Sequence, residues 1–220
     1  MIVICIARRI GFTSQRGVVA LAAVLLLLIS APGGSAQATG GAGEFIQNLG
    51  ERAVNVLRDK DKTTYAEREF AFRNILVEGF HIKTISRFVL GRHWGKATQK
   101  QRDAYNDIFV DFIVRVYASR FDAYDGEVFK ITQALESEIE GDTIVRTQIL
   151  RPSGGTPIGV DYRVRKIDGA YKVVDVNVEG ISMLHTHRVE FASVINRKGM
   201  EGLLEELRTQ VEARSSNSVN

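Results

Sequence analysis

The side chains of this sequence that could do chemistry lie close together near its end. His185-Thr186-His187 offers two imidazoles, a common metal-binding group. Residues two apart on a helix point in different directions, so the pair could close on one ion only if the stretch is not helical. Ser182, in Gly180-Ile181-Ser182, could be a nucleophile, but the second glycine of a nucleophile elbow is missing. A serine there is better placed to cap a helix starting near Met183. Asp175 stands among strand valines, where burial would raise its pKa and suit it to acid or base work. Pairing with Arg188, at the start of the same helix, is the simpler expectation. The glycine pairs at 33–34, 40–41 and 154–155 do not lead from a strand into a helix with phosphate-loop spacing. His81 and His93 neighbour aromatic residues and read as boundary positions. No catalytic, metal or cofactor motif is expected.

What these residues sit on is an apolar wall. In the run from Val160, Val160, Tyr162 and Val164 alternate with Asp161, Arg163 and Arg165. Val174, Val176 and Val178 repeat the pattern after the turn Ile167-Asp168-Gly169-Ala170. A period of two on both sides of a glycine turn predicts a β-hairpin. Its apolar face should pack against the helix that follows Ser182.

The same patterns organise the rest. One helical stripe holds Phe45, Leu49, Ala53 and Val56/Leu57. A second helix, capped by Thr63 or Thr64, carries Tyr65, Phe72, Ile75 and Leu76 and ends at Gly79. A short third helix holds Ile82, Ile85, Phe88 and Val89, and Leu90 to Gly95 reads as a turn bearing the only tryptophan, Trp94. Thr98 opens the longest helix, to about Phe121, although Thr98 with Arg102 falls short of a capping box. Its stripe of Tyr105, Ile108/Phe109, Phe112, Val116 and Phe121 is wider than one packing seam, which predicts burial on two sides. Four β-runs follow, near 127–138, 142–151, 157–166 and 170–179, joined by turn-like links, which implies an antiparallel meander. Two closing helices, Met183 to about Lys198 and Met200 to about Arg214, are split by Gly199; residues 215–220 read as a frayed polar tail. Helices before and after a run of strands argue an α+β fold: N-terminal helices, a four-stranded antiparallel sheet and two C-terminal helices.

The 220 residues are enough for one substantial core. The first 38 stand apart. Arg8, Arg9 and Arg16 precede the apolar run Val18 to Ile29, and Ala36-Gln37-Ala38 supplies small residues for cleavage after Ala38, so the segment reads as a secretory signal peptide. The run is shorter than the roughly 20 residues a spanning helix needs. Removing residues 1–38 takes three of the 29 Lys and Arg and none of the 26 Asp and Glu, leaving a formally neutral chain. That is not the electrostatic footprint of a nucleic-acid binder. The one cysteine, Cys5, leaves with the signal, so residues 39–214 are expected to form a single domain without disulfide or thiol chemistry, most simply a periplasmic monomer.

Several stretches, in order, resemble the MlaC-type (toluene-tolerance) phospholipid-binding proteins of Gram-negative bacteria. They are Phe88-Val89-Leu90-Gly91-Arg92-His93-Trp94, Gln101-Arg102 with Phe109, Val160-Asp161-Tyr162-Arg163-Val164, and Asp168 to Val176. Glu179-Gly180-Ile181-Ser182-Met183, Arg188, Phe191 and Gly199 with Gly202-Leu203-Leu204 complete the set. His81 departs from the family's usual Asp and Tyr171 from its common Trp; neither removes apolar wall. The resemblance implies a periplasmic carrier that holds phospholipid acyl chains between helices and sheet. It implies partners too: an outer-membrane lipoprotein complex and an inner-membrane ABC transporter with an MCE-domain subunit, between which such carriers maintain outer-membrane lipid asymmetry. A hopanoid-type lipid is the alternative ligand. A steroid-isomerase-like enzyme on a similar scaffold, using Asp175, and a purely structural envelope protein are the rival readings.

The energetics suit a carrier. At about 0.8 kcal/mol per buried methylene, two acyl chains amount to roughly 20 kcal/mol or more. Stripe and alternation together nominate Ile85, Phe88, Trp94, Phe109, Phe112, Val116, Val160, Tyr162, Val164, Val174, Val176 and Met183 as the lipid-binding wall.

Overall fold

A computed structural model describes residues 41–59, 62–118 and 123–216. The expected export segment and Phe121 lie outside the described residues. The sheet is an antiparallel meander, β1 (Val128–Glu136), β2 (Asp142–Leu150), β3 (Ile158–Ile167), β4 (Ala170–Val178) and β5 (Ile181–Ser182), in that order. The sequence predicted four strands, and the fifth is a consequence of turn chemistry. Glu179 (φ 50°) and Gly180 (φ 80°) are both left-handed, so Val178 and Ile181 pair across a two-residue turn before the last helix starts. Asp168 (φ 50°) and Gly169 (φ 83°) do the same between β3 and β4.

The inward face of the hairpin differs from simple alternation by one residue. Val160 pairs with Val178 and Tyr162 with Val176, as a strict period of two requires. The register then shifts, so that Arg163 meets Asp175 while Val164 meets Val173. Val174 is the extra residue of a bulge, and a bulge reverses the faces beyond it. Val173, not Val174, therefore joins Val160, Val164, Val176 and Val178 in the core. Val174 is buried as well.

The outward face is ionic. The carboxylate of Asp142, wholly buried, accepts from Arg165 Nε (2.6 Å) and Nη2 (3.0 Å) and from Arg163 Nη1 (3.3 Å). Arg163 also reaches Asp175 (3.8 Å), and Arg146 faces Asp161 across β2–β3 (3.6 Å). The helices lie on the other side.

The helices are α1 (Ala42–Arg58), α2 (Tyr65–Gly79), α3 (Ile82–Leu90), α4 (Arg92–Lys96), α5 (Gln99–Ala118) and α6 (Met183–Ser216). The expected turn around Trp94 is the short helix α4. Thr64 and Glu67 form a reciprocal capping box at α2. So do Thr98 and Gln101 at α5, with N–H···O distances of 3.2 and 2.9 Å; the glutamine three residues on, not Arg102, is the partner. Gly79 lets α2 close on α1, since a Cβ there would stand 2.5 Å from Leu49. The span α6 is two helices, as the sequence predicted: Gly199 (φ 72°, ψ −177°) is non-helical and separates them, and the second continues through the first two residues of the expected tail. Arg73–Asp111 (2.5 Å) and Arg115–Glu69 (3.0 Å) tie α2 to α5. No helix among the described residues is long and apolar enough to cross a membrane.

Replacing Asp142 with Ala leaves two guanidinium groups short of their shared acceptor on a half-covered surface. The expected loss is about 2 kcal/mol, read as a lower urea midpoint at constant m-value. An unchanged midpoint would show that the ionic face contributes nothing to stability.

Candidate functional site

The interior divides into three apolar clusters. One lies between the sheet and the helices, with Ala42, Ile46 and Leu49 of α1 and Ile75 of α2 on Val145, Val160, Val173 and Val176. A second joins α3, α5 and α6 through Ile85, Val89, Tyr105, Phe109, Phe112, Leu184 and Phe191. A third gathers Leu57, Phe72, Leu76, Val114 and Tyr117. Phe80, between α2 and α3, packs against all three. It is fixed there by the backbone: Phe80 bridges to Val173, and the N–H of His81 donates to the Val173 carbonyl (3.0 Å).

Where the clusters meet they do not close. A cavity of about 50 Å³ remains, lined by Leu76, Phe80, Ile82, Ile85, Val89, Phe109, Ile113, Tyr117, Val176, Met183, Leu184 and His187. It is held open by large side chains on four helices and β4 that converge without interdigitating. A volume of that size is apolar and holds a water or two at most. Drug-sized ligands need about 300–1,000 Å³, so a two-chain guest requires the clusters to part. A second gap of about 40 Å³ lies between α1 and the sheet, lined by Gly50, Ala53, Val54, Glu127, Phe129, Ile149 and Tyr162.

Of the twelve side chains nominated from sequence, Ile85, Phe109, Val176 and Met183 meet at the cavity between the clusters. Tyr162 lines the second gap. Val160 and Val164 belong to the sheet cluster, and Phe112, Trp94 and Val116 to the helical one. Val174 sits at the bulge. Phe88 is on the surface, 37% exposed, with the Arg188 guanidinium 4.9 Å from its ring centre. Trp94 stacks under Arg102, whose Nε donates to the Trp94 carbonyl (3.0 Å). The remaining lining residues were not nominated. Two of them were signalled by helical spacing: Tyr117 is four residues past Ile113, and His187 four past Met183, which puts each pair on one face. Phe80 follows a helix-ending glycine and has no periodicity to reveal it.

The polar groups sort cleanly. Asp175 is not among the lining residues. Its carboxylate accepts from the backbone N–H of Val176 (2.8 Å) and from Ser182 Oγ (3.0 Å to each oxygen), and Ser182 Oγ in turn accepts from the His185 N–H (3.0 Å). Ser182 is thus the cap of α6, and Asp175 anchors that cap to β4. Arg188, the expected partner, is engaged by Phe88 instead, and Arg163 takes its place. His185 is exposed, while His187 packs edge-on against Phe112, so the two imidazoles diverge. No group of three His, Cys, Asp or Glu among the described residues is placed to hold a metal. Around the cavity, Tyr117 and His187 carry the only side-chain nitrogen or oxygen among the lining residues. Their Oη and Nε2 are 3.5 Å apart, and His187 Nδ1 is 3.1 Å from Glu190 Oε2. The bond from His187 holds the Glu190 carboxyl below its ordinary pKa. Burial pushes the Tyr105 phenol well above its own; its hydroxyl donates to the Ser86 carbonyl (3.2 Å).

The sequence profile described as MlaC protein matches residues 47–209. The intermembrane phospholipid transport system binding protein MlaC of Haemophilus influenzae is 25% identical over 134 residues, covering 60% of this chain and 63% of that protein. The chain thus spans under two thirds of that relative's length. A solved phospholipid-binding protein from Ralstonia solanacearum, in complex with a phospholipid, superposes with a TM-score of 0.70 at 22% identity, over 80% of this chain and 99% of that one.

Asp175 yields a pH prediction. Desolvation raises its pKa above the ordinary 3.8, against the lowering effects of Ser182, Arg163 and the backbone N–H groups of Val176 and Leu184. Between the unfolded and the raised folded value the native state binds more protons, so acidification through that window favours folding. The stability of wild type minus that of Asp175→Asn should therefore increase as pH falls from about 6 to 4 in urea titrations. A flat or opposite trend would overturn the assignment.

Proposed function

Because the chain belongs to the MlaC family, we propose that it is a carrier that takes the acyl chains of a phospholipid into the apolar interior between helices and sheet and moves lipid between membranes. The observation that carries this reading is the unclosed junction of three clusters, apolar except at Tyr117 and His187. The named role of the Haemophilus relative and the ligand of the Ralstonia structure support it. The cavity is the point of entry for the tails, which widen it by separating the sheet cluster from the helical one. Ile85, Phe109, Val176 and Met183, together with Phe80 and Ile113, then form the first wall the tails meet. Of the other nominated side chains, Val116, Phe112, Val160, Tyr162, Val164 and Val174 back that wall, while Phe88 and Trp94 stack on Arg188 and Arg102 away from it.

The carrier works after export, with residues 39–214 as one periplasmic domain. Its partners are an inner-membrane ABC transporter with an MCE-domain subunit and an outer-membrane lipoprotein complex, and its role is to maintain outer-membrane lipid asymmetry. We read it as a binding protein and not an enzyme: the carboxylate an isomerase would need, Asp175, is committed to the α6 cap. Two chains' worth of hydrocarbon, roughly 20 kcal/mol, keeps the cargo from leaving into water on its own.

Native mass spectrometry of the exported protein should show phospholipid in about one-to-one stoichiometry and a mature chain beginning at Thr39. Protein that is empty after expression in a lipid-replete envelope would refute the carrier. Ile113→Trp places an indole in the cavity; overpacking of about 1–3 kcal/mol should cut loading roughly tenfold while circular dichroism stays unchanged. Full loading of that variant would move the tails elsewhere.

A further inference from the structure

The cations of α3 and α4 have no acidic neighbours along the chain. Between Glu78 and Asp103 stand Lys83, Arg87, Arg92, Lys96, Lys100 and Arg102, and no Asp or Glu. The chain without its first 38 residues is formally neutral, so a run with cations alone concentrates positive charge on one part of the surface. The two carboxylates that bracket the run have other partners: Glu78 pairs with Arg52 (2.6 Å), and Asp103 accepts from Gln99 (2.7 Å). We propose that the outer face of α3 and α4 docks on a phospholipid bilayer that carries anionic headgroups. This adds a membrane surface to the carrier reading and does not depend on what fills the cavity.

Helix α3 has two unlike faces. Ile82, Ile85 and Val89 line the cavity. On the outer side, Lys83, Thr84, Arg87 and Phe88 line an open groove of about 480 Å³, with His81 and Asp168 of the β3–β4 turn at its border. Lys83 and Arg87 are four residues apart, so they stand one above the other. Arg92 and Lys96 repeat that spacing on α4. Lys83, Arg87, Arg92, Lys96 and Lys100 are all exposed. Among the described residues, none of these five is ion-paired to a carboxylate. His81 Nδ1 and Thr84 Oγ1 engage each other (2.6 Å), so Lys83 and Arg87 are the groove groups that can reach out to an anion. Asp168 is the one carboxylate of the lining.

The aromatic rings set among these cations favour a bilayer. Phe88 is 37% exposed, with the Arg188 guanidinium over its ring. Trp94 stacks with Arg102, 5.5 Å from its ring centre. Rings and basic side chains together suit the boundary of a bilayer, where the ring meets the acyl chains and the cation meets phosphate. An acidic protein site offers carboxylates at fixed points, and the cations that serve one are ordered by charge-assisted hydrogen bonds. Loose lysines and arginines match a fluid array of phosphates better. Each Lys or Arg held near an anionic surface strengthens attachment about fivefold. Because the cavity lies directly behind α3, this pose sets the apolar interior one helix away from the bilayer.

The test is co-sedimentation of the full mature protein with phosphatidylcholine vesicles, made with or without phosphatidylglycerol. Binding should require phosphatidylglycerol and weaken as salt is raised. Lys83→Gln with Arg87→Gln should lower affinity for the anionic vesicles about tenfold or more. Lys62→Gln with Lys130→Gln removes the same charge from the α1–α2 loop and from β1, and should lower it less than about twofold. Far-ultraviolet circular dichroism of both variants should match wild type. Equal losses would show that net charge alone drives binding and would overturn the docking face. Vesicle binding indifferent to phosphatidylglycerol, or none at all, would also overturn it and leave the face to an acidic protein. Loading is read separately by native mass spectrometry. Protein that binds anionic vesicles but carries no phospholipid refutes the carrier and leaves the docking face standing; protein that carries phospholipid and ignores vesicles does the reverse.

Discussion

The constraint on which the structure depends is that its sheet has one dry face and one ionic face. Asp142, Arg163, Arg165 and Asp175 form a continuous chain of charge across β2, β3 and β4, with Arg146 and Asp161 beside it. Laying a helix over that chain would strip the remaining water from Arg163, Arg165, Arg146 and Asp161, at a cost the Coulomb attraction does not reliably offset. Among the described residues, the helices that pack on the sheet, α1, α2 and the start of α6, do so on the other face. Any guest in the interior has to share that single inter-layer space with them. The same chain reaches the helices at one point: Asp175 ends it on β4 and holds Ser182, the cap of α6. The ionic face and the start of the helix that lines the cavity are one connected unit.

Much of this was written into the sequence in local form. The period-two run from Val160, the Asp168-Gly169 turn, the Ser182 cap and the Gly199 break each act within a few residues, and each appears where the spacing puts it. What was hidden depends on partners far along the chain. The bulge at Val174 exchanges the roles of Val173 and Val174, and nothing in the run Val173-Val174 marks which one will face inward. Glu179-Gly180 is a turn by type, but whether the next two residues pair depends on β4 being there to receive them. The site suffered most. Phe88 and Val89 are both apolar, yet only Val89 reaches the cavity, because successive residues of helix α3 point about 100° apart and Phe88 faces Arg188 at the surface. Apolar periodicity locates a buried face but not the small part of it that fails to close.

That failure to close has a geometric origin. α1 follows the sheet, α3 and α5 follow α6, and α2 mediates between them. Three clusters with different axes meet at Phe80, a residue outside any helix whose place is set by the Val173 backbone. A link of that kind is anchored to the sheet yet packs on the helices, so it is the natural point for the two halves to separate. Within each cluster packing is tight, as the fully buried Tyr105, Phe109 and Val145 show. Deformation is therefore expected at the junction and not inside the clusters, since close-packed interiors resist change of volume.

The small size of the cavity bears directly on how the proposed carrier could let go. If the apolar wall were permanently exposed, covering it with acyl chains would release the full hydrophobic free energy of both surfaces, and the lipid would stay bound. In this structure most of the wall is already covered, by Phe80, Ile113, Met183 and their neighbours packed on one another. A lipid gains its own burial but must first undo those contacts, at about 25 cal/mol for each Å² of apolar surface re-exposed. The net affinity is the difference between two large terms of the same kind. On the proposed carrier reading, closure behind a departing lipid recovers what entry cost, so the free energy that opposes loading also favours release. A large, rigid, empty pocket would have no such term, and a fully packed core would admit nothing; an apolar junction that closes almost but not quite completely lies between the two.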